Sequence, residues 1–65
     1  MKRYAIYNQA NEIIGYGDNK TQMAKVIGCT RQHFHNTFDG KHMSYKGEEY
    51  KIIDMLAYYY EKQIR

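Results

Sequence analysis

Apolar residues in this chain gather into two strand-like runs at the start and recur at helical spacing further on. Tyr4-Ala5-Ile6-Tyr7 and Ile13-Ile14-Gly15-Tyr16 are rich in β-formers, and Asn8-Gln9-Ala10-Asn11 between them is a polar stretch of hairpin length. The spacing predicts an N-terminal β-hairpin over residues 3–7 and 12–16. From Thr21 the pattern changes. Met23, Ile27, Phe34 and Phe38 fall where a first helix at 21–27 and a crossing second helix at 31–38 bury a shared core. Ala24 is small where the two helices must approach. Gly28 stands four residues later, where the first helix ends and the chain turns at little steric cost. Thr30 is a good N-cap for the second helix, which Gly40 ends, and Asp18 or Thr21 caps the first. Two short helices joined by a tight turn make a helix-turn-helix, the arrangement that lays a helix in the DNA major groove.

Past Gly40 the pattern is weaker. His42 to Gly47 is polar and irregular and reads as a loop or wing carrying Lys41 and Lys46. Glu49-Tyr50-Lys51-Ile52-Ile53 reads as a short third strand pairing with the hairpin. Residues 54–64 read as a C-terminal helix, with Ile53, Leu56, Ala57, Tyr60 and Ile64 at helical spacing. A helix starting at Gly47 is the competing reading, because Tyr50, Ile53, Ala57, Tyr60 and Ile64 also form a stripe. The expected class is α+β: N-terminal β-hairpin, helix-turn-helix, short third strand, C-terminal helix. Tyr58, Tyr59 and Tyr60 are consecutive, and helical neighbours point about 100° apart, so at most two can face one core. With Leu56 and Ile64 they are the expected dimer or partner interface.

Composition sharpens this picture. At 65 residues the chain is a single domain over residues 1–65, and a domain of this size buries only ~60% of its unfolded surface. The one cysteine, Cys29, rules out an intramolecular disulfide, so support is expected from a second copy, as a homodimer, or from another partner. No signal peptide or membrane-spanning run is read, and a soluble protein of the bacterial cytoplasm is expected. The net charge of +3 is unevenly placed: between Lys20 and Lys46 five cations face one acid, Asp39. That footprint suits a polyanion.

The run after Thr30 carries the candidate chemistry. Arg31 and Gln32 can make bidentate contacts to guanine and adenine, and Asn36 lies four residues beyond Gln32 on the same face. His33 and His35 complete the candidate base-reading set. Lys20, Lys25, Thr30, Lys41 and Lys46 are the candidate phosphate contacts. Cys29, His33, His35 and His42 invite a metal site, but His33 and His35, two apart on a helix, point ~200° from each other and cannot share an ion. Glu48 and Glu49 have no base or nucleophile in a readable arrangement, and no phosphate-cradling glycine loop is present. No metal, no cofactor and no enzymatic activity are expected.

Thr21-x-x-Ala24-x-x-x-Gly28-x-Thr30-x-x-x-Phe34, then Gly40-Lys41 and Tyr50-Lys51-Ile52, resembles the helix-turn-helix modules appended to phage and intron homing endonucleases. It is also similar to short regulatory proteins of phages from Gram-positive bacteria, and the likeness spans roughly residues 4–53. The resemblance implies a recognition helix carrying Thr30, Arg31, Gln32, His33, His35 and Asn36. Thr37 stands where such helices carry an aliphatic residue, which hands that packing to Phe38. The expected function is a small phage or prophage transcriptional regulator that reads double-stranded DNA as a dimer. The alternative is a phage-encoded inhibitor, an anti-CRISPR or antirepressor, that uses the same scaffold to bind a host protein or ribonucleoprotein through Tyr16, Tyr45, Tyr58 and Tyr59. RNA binding ranks below both, because the tyrosines lack the paired spacing of a base-stacking sheet.

Overall fold

Strands β1 (Tyr4–Tyr7) and β2 (Ile13–Gly17) pair antiparallel, as their β-forming residues and the polar stretch between them predict. Their connection is held by the side chain of Asn8, whose Oδ1 accepts the Glu12 N–H at 2.9 Å, and by Asn11, which takes a φ of 65°. Asparagine tolerates that left-handed conformation better than most residues. The computed structural model describes residues 2–57. Within them, α1 (Lys20–Ile27) and α2 (Arg31–Thr37) follow the hairpin, and β3 (His42–Tyr45) and β4 (Glu48–Asp54) complete an α+β fold. The sheet order is β2-β1-β4-β3, with every pairing antiparallel.

The core lies between one face of this sheet and the two helices. Ile6 and Ile52 are register partners across β1 and β4, and both are buried with Met43, Met23, Ala24 and Phe34. Side chains alternate along a strand, so Ala5, Tyr7 and Ile53 belong to the opposite face. Two glycines let α1 settle onto the sheet. A Cβ at Gly15 would lie 2.5 Å from Val26 Cγ1, and one at Gly17 would lie 3.0 Å from Met23 Cγ. Gly15 and Gly17 are two apart, so β2 presents a bare stripe to the helix while Tyr16 between them is exposed.

Several sequence expectations need correction. The N-cap of α1 is Asn19, not Asp18 or Thr21: Asn19 Oδ1 accepts the Gln22 N–H at 2.9 Å, while Thr21 is already inside the helix. Asp18 is engaged elsewhere, accepting the Arg3 N–H at 2.9 Å and meeting Lys2 Nζ at 3.4 Å. Helix α2 ends at Thr37, and Phe38 is already extended with a ψ of 121°.

Residues 42–47 are not an irregular loop. Buried Met43 alternates with exposed His42 and Ser44 to make β3, and Lys46 (φ 52°) with Gly47 (φ 79°) forms a two-residue hairpin turn into β4. Positive φ at both central positions matches the twist of the flanking strands. The helix starting at Gly47 is excluded, because residues 48–54 are strand. The third strand expected over 49–53 does form and pairs with β1, and it is fourth in chain order. Met55 to Ala57 are helical, and the Asp54 carboxylate accepts the N–H groups of Leu56 and Ala57 at 3.1 and 3.3 Å. The rest of the helix expected over 54–64, including Tyr58, Tyr59, Tyr60 and Ile64, lies outside the described residues. Among the described residues no helix is long and apolar enough to cross a membrane.

Candidate nucleic-acid interface

The turn between α1 and α2 is three residues long, and each has a physical task. Gly28 takes a φ of 95°, and its N–H returns to the Ala24 carbonyl at 2.8 Å. Cys29 donates its N–H to the same carbonyl at 3.0 Å and packs its half-buried side chain against the core. Burial pushes the Cys29 thiol up from its ordinary pKa, which keeps it protonated. Thr30 caps α2, its Oγ1 accepting the His33 N–H at 3.1 Å. Ala24 is buried where the helices meet, and Phe34 is fully buried beneath α2 with Phe38 tilted against it, ring centroids 5.0 Å apart.

With Phe34 fixed inward, helical geometry assigns the rest of α2. Arg31, Gln32, His35 and Asn36 are all exposed and form two adjacent i,i+4 rows. Gln32 Nε2 donates to Asn36 Oδ1 at 3.2 Å, which holds both amides on one surface. His35 Nδ1 accepts a hydrogen bond from Lys20 Nζ at 2.8 Å. An ammonium can only donate, so Nδ1 is the accepting nitrogen in this contact. Lys20, at the start of α1, is thereby tied to the outer face of α2.

His33 is placed differently from the other four. Its Nε2 is 2.9 Å from the Ser44 carbonyl, and its ring meets the Tyr45 ring edge-on at 5.0 Å and 68°. A carbonyl can only accept, so Nε2 is the protonated nitrogen. The structure thus brings Arg31, Gln32, His35 and Asn36 together and turns His33 toward β3. Thr37 is half-buried and donates its hydroxyl back to the His33 carbonyl at 2.9 Å.

Of the phosphate candidates, Lys25, Thr30, Lys41 and Lys46 are exposed and Lys20 is half-buried. Lys46 Nζ lies 5.4 Å from the centre of the Tyr45 ring. Helix α2 contains no acid. Asp39 and Glu49 line a shallow hollow together with Thr37, His42, Met43 and Ser44. Asp39 accepts the N–H groups of His42 and Lys41 at 2.7 and 2.9 Å, and these hold its carboxyl below the usual carboxylate range. Among the described residues no group of His, Cys, Asp or Glu side chains is arranged to hold a metal ion.

Leu56 is 58% exposed at the end of the described chain, and Ile13, Ile14 and Tyr16 are exposed on the β2 edge. Two features escaped sequence reasoning. The bare stripe of Gly15 and Gly17 had a signal, small residues at period two within a strand-like run. The turning of His33 onto β3 had none, because it depends on a strand that the sequence hid. Comparison with protein-family models, with curated proteins and with solved structures returned no match for this chain.

Proposed function

We propose that this chain is a small sequence-reading DNA-binding protein that inserts the outer face of α2 into the major groove. One observation carries the reading: Arg31, Gln32, His35 and Asn36 are exposed together on a helix free of acids, while Phe34 on its inner side is fully buried. Arginine and the two amides are the side chains whose fork geometry matches base edges; Lys20, bonded to His35, supplies a cation beside them, and Lys25 is a further exposed cation on α1. In this mechanism the lysines neutralise phosphates and set the register, and Arg31, Gln32 and Asn36 discriminate bases. A dimer presenting two copies of α2 would read two half-sites, and a phage or prophage transcriptional regulator is the role we infer. The test is binding of labelled mixed-sequence duplex DNA across a salt series. The reading expects affinity that falls steeply as salt rises, and salt-independent or absent binding contradicts it.

A protein-binding inhibitor is the second reading, favoured by one observation. Ile13, Ile14 and Tyr16 expose 40–47% of their surface along one sheet edge, apolar area that DNA contact leaves unused. If a protein is the partner, Tyr16→Ala abolishes its capture while Arg31→Ala and Gln32→Ala are tolerated.

A further inference from the structure

Helix α2 and β3 share the core through Phe34 and Met43, and outside it one polar side chain links them. His33 reaches out of α2, donates Nε2–H to the Ser44 carbonyl at 2.9 Å and sets its ring against Tyr45 at 5.0 Å. The residue after Tyr45 is Lys46, the first of the two turn residues at the hairpin tip, with its ammonium 5.4 Å from the centre of the Tyr45 ring. From recognition helix to tip lysine the chain of contact is therefore continuous: His33, Tyr45, Lys46. Lys46 is exposed and its ammonium forms no ion pair among the described residues. Glu48, two residues further along the chain, accepts the Tyr50 hydroxyl at 3.1 Å. A two-residue turn with both φ positive is short and stiff, so the lysine is carried on a narrow, rigid finger beside α2.

We propose that the β3–β4 hairpin is a second DNA-contacting element, with Lys46 gripping a backbone phosphate beside the groove that α2 enters. His33 is the positioning residue that fixes the distance between the two. The proposal rests on the DNA-binding reading above and changes the role of one residue within it: His33 braces the interface and does not read a base. The recognised ligand is the phosphodiester backbone, so the hairpin adds affinity and fixes register without adding sequence information. Without the brace, Met43 still holds β3 in the core, but Tyr45 and the tip lysine beyond it lose their fixed place relative to α2, and the phosphate contact must then overcome the entropy of ordering the tip.

The experiment measures affinity for a mixed-sequence duplex over a salt series for the wild type, Lys46→Ala, His33→Ala and the double variant, with thermal melts to verify folding. Each neutralised phosphate contributes ~0.9 to the slope of log affinity against log salt. Lys46→Ala and His33→Ala should each lower the slope by about 0.9, and the double variant should lose about the same and not twice as much. His33→Gln, which keeps an N–H donor near the Nε2 position, should restore the slope. A slope untouched by Lys46→Ala, or losses that simply add, overturns the brace and the hairpin contact while leaving the α2 reading intact. A wild type with no salt-dependent binding overturns the DNA reading itself. Should His33→Ala fail to fold, hydroxyl-radical footprints of the wild type and Lys46→Ala decide: protection outside the α2 site must be present in the first and missing in the second, and identical footprints refute the proposal.

Discussion

Lys20 Nζ and His35 Nδ1 lie 2.8 Å apart, so the first residue of α1 is tied to the outer face of α2. This cross-link aims two of the candidate DNA-contacting side chains at one place. Both are on the outside of the domain, and the bond adds little to the core. Lys20→Met should therefore leave the melting temperature nearly unchanged while weakening DNA binding and its salt dependence. A large fall in melting temperature would mean that the contact is structural first.

The inner and outer faces of α2 should respond oppositely to truncation. Phe34→Ala removes a fully buried ring, a change that costs about 3–5 kcal/mol in well-packed cores. For so small a domain that is comparable with the whole folding free energy, and the variant should be largely unfolded by circular dichroism. Arg31→Ala and Gln32→Ala should stay within ~0.5 kcal/mol of the wild type in stability. Each should cost about 1–3 kcal/mol in discrimination between matched and mismatched DNA.

The seat of α1 on β2 predicts a specific rescue. Gly15→Ala places a methyl 2.5 Å from Val26 Cγ1 and should destabilise by about 1–3 kcal/mol in urea unfolding. Val26→Ala removes the obstructing atoms, so the double variant should recover much of that loss. Additive losses would mean that the strand and helix do not touch there.

Acid should weaken the fold through three carboxylates. Asp54 is held below the usual range chiefly by its hydrogen bonds from Arg3, Asp18 by the Arg3 N–H, and Asp39 by the His42 and Lys41 N–H groups. A carboxyl whose folded pKa is depressed stabilises the fold above its unfolded value, and loses that contribution as pH falls through the folded value. Stability should thus be level near neutrality and decline below about pH 4. Asp54→Asn, which removes the 2.9 Å ion pair to Arg3, should be less stable at pH 7 and show a shallower acid decline. An unchanged decline would assign the acid sensitivity to the other two carboxylates.

How much of this was legible beforehand differs by element. The hairpin, the two helices, the Gly28 turn and the Thr30 cap could be read because each rests on local chemistry: β-forming runs, a left-handed glycine, a hydroxyl beside an N–H. Strand β3 could not. It is four residues long with a single buried side chain, Met43, and its existence depends on pairing with β4. Missing β3 also hid the partner of His33, the Ser44 carbonyl. The cap of α1 was misplaced by one residue from Asp18 because three capping residues, Asp18, Asn19 and Thr21, compete in four positions, and only the Arg3 contact settles which is free. The glycine stripe faces the helix that begins three residues later, and small residues at period two signal it, but which side chains they make room for, Val26 and Met23, is set by packing in three dimensions.

The most direct test of the central claim is selection of bound sequences from a random duplex library by the wild type and by the Arg31→Ala/Gln32→Ala variant. The account predicts an enriched motif for the wild type, two-fold symmetric if the chain acts as a dimer, and loss of that motif with residual salt-sensitive binding for the variant. No enrichment by the wild type, or the same motif from both proteins, would contradict the assignment of α2 as the element that reads DNA.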